Sequence, residues 1–253
     1  MDQLTKDAEA LLDELKPRSP SAAPGQNLLP PQTRFDVPGE SLSTPAWRAG
    51  DGAPTLFVHG WDDTHRIWRR FAMDFIQNGR PALLTDLPAH GASTAETCNW
   101  QLAGRSVLGL CADQQPIDAI ITHSFGSLAA ADAISKGAQA DYLVMIAPPI
   151  EQWSDRQRRK GVPDDVIARA AELLTERQGE DLSPPDLSAL LADFKGRILL
   201  IGSHADESCP APPIEALGAS LENAETLIVD GLSHRDLALD PAILSHITAF
   251  LGY

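Results

Sequence analysis

The chain has 253 residues, 43% hydrophobic and 22% charged, which is the balance of a soluble globular protein and length for one large domain or at most two small ones. Its formal net charge of −15 repels phosphate backbones, so nucleic acid is not expected as a partner. No apolar run approaches the ~20 residues needed to span a bilayer, and the opening "MDQLTKDAEALLDEL" is acidic and amphipathic, not basic then apolar like a signal peptide.

Along the chain, Leu4, Ala8, Leu11, Leu12 and Leu15 fall at helical spacing until Pro17 ends the pattern. Residues 17 to 32 are proline-rich and read as an extended linker. Residues 1–32 are therefore expected to be an appendage packed on the surface of a domain spanning 33–253. "TRFDV" and "STPAWRA" read as short strands with a turn at Pro38-Gly39. Buried-strand runs follow at "TLFVH" (55–59), "PALLTD", "DAIITH", "DYLVMIAP", "GRILLIG" and "ETLIVD". Between them, "IWRRFAMDFIQNG" (67–79) and "GSLAAADAISKG" have helical character, and a last helix opens with Asp240 as N-cap and Pro241 in its first turn.

Apolar strands alternating with helices predict a mostly parallel sheet with helices on both faces. Residues 151 to 193 interrupt the alternation with helical segments broken at Pro163 and Pro184-Pro185. An insertion at the C-terminal edge of a parallel sheet lies over the ligand crevice, so this stretch is read as a small helical cap. Cys98, Cys111 and Cys209 are odd in number, widely spaced and without a CxxC pair, and are expected to be reduced thiols of a cytoplasmic protein. No dinucleotide or P-loop motif and no metal-ligand spacing is present, so neither cofactor nor metal is expected.

The stretch "AIITHSFGSLAAADAI" (119–134) runs from strand to helix with no turn segment between them. A serine there points out of the sheet edge, above a helix N-terminus whose free N–H groups stabilise an oxyanion. The same Ser124 would equally make an ordinary N-cap. A tight turn also needs small residues two before and two after: Gly126 qualifies, while Thr122 does so only approximately and is expected to tolerate exchange for glycine. A serine nucleophile needs a base, and the base needs a carboxylate. Of seven histidines, only His204, His234 and His246 follow Ser124. With the order serine, acid, histidine, Asp206 at a strand end and His234 in the loop "GLSHRD" are the candidates. Asp236 and Glu207 compete for the acid.

Taken together, "FVHGW" (57–61), "TDLPAHGAS" (85–93), "THSFGS" (122–127), "LLIGSHADESCP" (199–210) and "GLSHRDL" (231–237) resemble, in order, the loops of the α/β-hydrolase family. The resemblance implies the α/β-hydrolase fold, Ser124 as nucleophile, His234 as general base then acid, and Asp206 as its orienting carboxylate. It also implies an oxyanion hole from the backbone N–H groups of Trp61 and Phe125. The implied activity is cleavage of a carboxylic ester or thioester of a small molecule. Carbon–carbon bond hydrolysis, cofactor-free perhydrolysis and a non-catalytic ligand-binding role share the same residues. Serine at the nucleophile position argues against the haloalkane dehalogenase and epoxide hydrolase branches, which use a carboxylate.

His59 and His90 are expected to hold loops, and His123 to point away from the serine. Asp62 and Asp63 read as exposed loop carboxylates. "RQRRKG" (156–161) reads as a solvated helix face, with steering of an acidic substrate as the alternative. Trp153 lies either over the pocket or between cap and body.

Overall fold

The computed structural model describes residues 2–13, 17–18, 33–36, 43–178 and 185–253. The proline-rich stretch from 19 to 32, the turn at Pro38-Gly39 and the break at Pro184 lie outside the described residues. One sheet carries β1 (Thr33–Asp36), β2 (Ser43–Ala49), β3 (Thr55–Val58), β4 (Ala82–Thr85), β5 (Ala119–His123), β6 (Tyr142–Ile146), β7 (Arg197–Ser203) and β8 (Ala224–Val229). Their spatial order is β1-β2-β4-β3-β5-β6-β7-β8. The β1–β2 and β2–β4 pairs are antiparallel and the other five are parallel.

The parallel strands read as unbroken apolar runs because both of their faces are covered. With a side-chain period of two, Leu56, Ile120, Leu143 and Leu200 point one way, towards α3 (Trp100–Asp113), α4 (Phe125–Ser135) and α8 (Ala211–Ser220). Phe57, Ile121, Val144 and Ile201 point the other way, towards α2 (Arg69–Gln77) and α9 (Pro241–Phe250). The carboxylate of Asp240 caps α9 by accepting from the Ala242 and Ile243 amides. A 3-10 turn over His65–Trp68 precedes α2, so the regular helix begins later than its apolar spacing indicates. Helix α3 is absent from the sequence expectation, because Gly104 and Gly109 interrupt its apolar stripe; Asn99 caps it by accepting from Leu102 N–H.

Between β6 and β7 lie α5 (Trp153–Arg159), α6 (Asp164–Gln178) and α7 (Leu187–Leu191). Helix α7 buries Leu187 and Leu191 in the body core that holds α4, so only α5 and α6 form the cap. The N-terminal helix α1 (Gln3–Asp13) packs on that cap: Ala8, Leu11 and Leu12 meet Ala170 and Leu173 of α6. An isolated helix of this length is marginal in water, and each buried leucine contributes roughly 1.5–3 kcal/mol, so contact with α6 holds α1 in place. Among the described residues, no helix is long and apolar enough to cross a membrane.

Candidate active site

The strand order reverses about β3, which pairs with β4 on one side and β5 on the other. The loops leaving β3 and β5 therefore part at a topological switch point, where open α/β sheets form their crevice. Trp61 follows β3 and Ser124 follows β5.

Ser124 has φ 49° and ψ −124°. A non-glycine residue in that region costs on the order of 1–3 kcal/mol and persists only where its surroundings enforce it. Here the Ser124 amide donates to the Ile146 carbonyl at 2.8 Å, and its carbonyl accepts from Ser127 N–H at 2.8 Å. Its side chain makes no capping bond. An ordinary N-cap has extended backbone and a side-chain bond, so Ser124 is held as an elbow and not as a cap. Gly126 is obligatory because a Cβ there would lie 2.6 Å from the His59 carbonyl oxygen. Thr122 occupies the other tight position by using its hydroxyl, which lies 2.8 Å from Ser127 Oγ and donates to the Val144 carbonyl at 3.1 Å.

Asp206 and His234 come together, with His234 Nδ1 donating to Asp206 Oδ2 at 2.7 Å. Asp206 Oδ1 accepts from the Ser208 and Cys209 amides at 2.8 and 2.9 Å. Burial pushes the Asp206 carboxyl up, but the His234 bond and these amides outweigh it and hold it below the usual carboxylate range. Because Nδ1 is the donor, a neutral His234 leaves Nε2 as a proton acceptor, and its side chain is 26% exposed. The competing residues lie elsewhere: His204, His246, Glu207 and Asp236 are exposed, and Asp236 accepts from Ser233 Oγ. Cys209 completes a potential metal-ligand trio with Asp206 and His234. Its thiol is pushed up to about 12, by burial first and then by Asp206, and both Asp206 oxygens are already committed, so the trio suits an acid–base pair better than a cation.

The Ser124 turn and the His234 loop are also joined. The His123 ring lies against that of His234, centroids 4.7 Å apart, and its Nε2 donates to the backbone carbonyl of His234 at 2.9 Å. The Ser124 hydroxyl itself makes no hydrogen bond to His234 among the described residues. The amides of Trp61 and Phe125 likewise find no acceptor among the described residues, and their rings meet edge to face with centroids 4.9 Å apart.

His59 and His90 tie loops together. Nδ1 of His59 donates to the Gly60 carbonyl and its Nε2 accepts from Leu87 N–H; burial drives its pKa down to about 4. His90 donates from Nδ1 to the Pro88 carbonyl and accepts from Asp62 N–H at 3.3 Å. A further tie, not signalled in the sequence, joins His65 Nδ1 to Asp86 Oδ1 at 2.9 Å. Asp63 differs from expectation. It is buried and paired with Arg235 Nη1 at 2.7 Å, linking the Trp61 loop to the His234 loop.

Ser124, Trp61 and Phe125 line a cavity of about 610 Å³ whose remaining wall includes Trp153 of α5, Ile167 of α6 and Leu11 of α1. Trp153 thus borders the pocket and also packs within the cap. The chamber joins an apolar wall, with Trp61, Phe125, Leu128 and Ile167, to a charged one at α5 that includes Arg156, Arg158 and Lys160.

The structure is similar to an esterase of Pyrococcus furiosus (TM-score 0.70, 18% identity, 92% of this chain and 98% of that one). It is similar also to a thermophilic esterase of Thermogutta terrifontis, solved with malate bound (0.67, 14%, 88% and 98%), and to a bromoperoxidase of Bacillus anthracis (0.68, 14%, 87% and 99%). At these identities the likeness is one of fold. A search of curated protein sequences finds no match. The alpha/beta hydrolase family profile matches residues 55–246, most of the chain and all of the loops described above, and the chain belongs to that family.

Proposed function

We propose that the protein is a serine hydrolase that cleaves a carboxylic ester, or a thioester, of a small molecule through an acyl-enzyme. The observation that carries this reading is the 2.7 Å bond from His234 Nδ1 to a buried Asp206, tied to the strained Ser124 through its neighbour His123, which bonds the His234 carbonyl. In the reaction, Ser124 Oγ attacks the carbonyl carbon while His234 Nε2 takes the hydroxyl proton. Asp206 holds the imidazole in the required tautomer and stabilises the imidazolium. The tetrahedral oxyanion accepts from the amides of Trp61 and Phe125, whose dipoles are already fixed. Collapse expels the alcohol or thiol, which receives the proton from His234. Water, deprotonated by His234 in turn, releases the acid and regenerates Ser124. The Ser124–His234 hydrogen bond forms in the substrate complex, as catalytic bonds that are open in the free enzyme commonly do.

This route draws on no cofactor and no metal ion. The three cysteines are buried free thiols, which suits the reducing cytoplasm. A fluorophosphonate probe tests the reading. The wild type is expected to label at Ser124, Ser124→Ala to lose the label, and Asp206→Asn to lose about 10³–10⁴ in kcat. An unlabelled wild type, or undiminished labelling of Ser124→Ala, overturns the proposal.

A further inference from the structure

The basic run of α5 divides in the fold. Arg158 is paired with Asp155 and Asp164, each at 2.6 Å. Arg159 is paired with Glu151 and donates to the Glu207 carbonyl at 2.8 Å. Arg156 is different: half-buried, it lines the Ser124 cavity, and among the described residues its side chain has neither an ion pair nor a hydrogen bond. A half-buried guanidinium without an anion carries a desolvation cost that a ligand anion removes.

Its neighbours on the helix point to a ligand independently. Trp153, Arg156 and Gln157 are spaced i, i+3, i+4, which places them on one face of α5, and all three line the cavity. Gln157 is 4% exposed, yet among the described residues its Oε1 has no partner, and neither has the buried Trp153 Nε1. Buried polar atoms are normally satisfied, so this face holds unused hydrogen-bonding capacity beside an unpaired positive charge.

The acidic residues nearby do not cancel that charge. Glu151 and Asp164 line the same cavity, but each is taken by another arginine, Arg159 and Arg158 respectively. Asp62 and Asp63 are not in the cavity wall; Asp62 accepts from Arg18 N–H and Asp63 pairs with Arg235. Lys160, exposed at the same wall, adds a second cation without an ion pair among the described residues. A chain of net charge −15 thus presents net positive charge inside the chamber above the nucleophile.

We propose that Arg156 is a specificity-determining residue, and that the substrate is an ester bearing a carboxylate on the part that lies under the cap. The proposal rests on the serine-hydrolase reading. The planar guanidinium takes the carboxylate in a two-point bond, Trp153 Nε1 offers a further donor to it, Gln157 Oε1 is left to accept from a donor elsewhere on the ligand, and the scissile carbonyl reaches Ser124 below.

The test compares 4-nitrophenyl hydrogen adipate with 4-nitrophenyl hexanoate, which match in acyl length and differ in one terminal carboxylate. The wild type is expected to prefer the adipate ester in kcat/KM, mainly through KM. In Arg156→Ala the adipate-to-hexanoate ratio falls about 10- to 100-fold, the equivalent of one charge-assisted hydrogen bond. Arg156→Lys recovers part of it, because the charge returns without the fork. Arg169→Ala, which removes one positive charge from α6 outside the cavity wall, leaves the ratio unmoved. Fluorophosphonate labelling of each variant reports that the site is assembled. Should Arg156→Ala misfold, Arg156→Gln carries the same comparison. A wild type that labels and hydrolyses both esters without preference, or a ratio unchanged in the Arg156 variants, overturns this proposal and leaves the hydrolase reading intact. Absence of labelling and of all ester turnover overturns the hydrolase reading itself.

Discussion

The imidazole of His123 donates from Nε2 to the backbone carbonyl of His234, 111 residues further along the chain. A carbonyl only accepts, so Nε2 carries a proton. Burial drives the His123 pKa down to about 3, so the ring is neutral and Nδ1 is the bare nitrogen. The residue that precedes Ser124 therefore fixes the loop that carries His234. The Asp63–Arg235 pair fixes the same loop from its other side.

Removing the His123 donor should loosen His234 relative to Ser124. His123→Phe, which keeps a ring but no donor, is expected to lower kcat about 10-fold with little change in KM, because a misplaced base slows the chemical step and not substrate binding. His123→Asn, which restores an N–H, is expected to recover part of that loss. Wild-type kcat in His123→Phe would show that the Asp206 bond and the Arg235 pair position the base by themselves.

Buried histidines whose pKa burial lowers, His59, His90 and His123, make the fold acid-sensitive. His59 and His123 have native pKa values of about 4 and about 3, both lowered chiefly by burial. In the unfolded chain they protonate near pH 6.5. Below that pH the unfolded state binds protons that the native state refuses, so stability falls as pH drops from 6.5 towards 4. The slope is about 1.4 kcal/mol per pH unit for each group. Asp206 and Asp86, both held below the usual carboxylate range, add a further loss only below about pH 4. Urea unfolding at pH 7 and pH 5 checks this: His123→Asn should show a shallower decline than wild type by about one proton. Equal slopes in the two proteins would contradict a neutral buried His123.

Thr122 is a working part of the elbow. From the sequence, exchange for glycine looks harmless, since glycine relieves crowding. In the structure, the hydroxyl of Thr122 satisfies both Ser127 Oγ and the Val144 carbonyl in a fully buried setting. Thr122→Val, which keeps the shape and drops the hydroxyl, is expected to cost about 1–3 kcal/mol of stability by leaving Ser127 unpaired. Thr122→Gly adds the loss of packing and the extra backbone entropy of glycine. Both are expected to label normally with fluorophosphonate once folded. Thermal melts that match wild type would remove the structural role assigned to this hydroxyl.

What the sequence made legible follows from periodicity and loop order. Runs such as "AIITH" and "LVMI" announce buried parallel strands because both of their faces are covered. Ser124, Asp206 and His234 stand out because each falls where a strand ends or a loop begins. Helix α3 was hidden because glycines 104 and 109 break its stripe. The pairing of Asp63 with Arg235 was hidden because it joins two distant loops, and charge in a loop reads as solvated until a partner is placed. Arg156 and Arg158 look alike in the sequence. Both line the cavity, and only the fold shows that Arg158 is paired there with Asp155 and Asp164 while Arg156 is left without an ion pair among the described residues. The amphipathic pattern of α1 required a partner surface but did not identify it as the cap.

That partner gives α1 a consequence for substrate choice. Leu11 packs in the α1–α6 cluster and also lines the cavity above Ser124, while Arg18 N–H donates to Asp62 in the loop that carries Trp61. Deleting residues 1 to 18 should therefore remove one wall of the chamber, uncover Ala170 and Leu173, and leave the sheet and its two core layers in place. An ester series of increasing acyl length reads the effect. The ratio of long-chain to short-chain kcat/KM is expected to fall about 10-fold on truncation, the low end of what one buried leucine contributes. Leu11→Ala should move it in the same direction by less. The truncated chain should still label with fluorophosphonate, because Ser124, His234 and Asp206 are held by body elements alone. An acyl-length profile identical in all three proteins would reduce α1 to a brace on the cap with no part in the site.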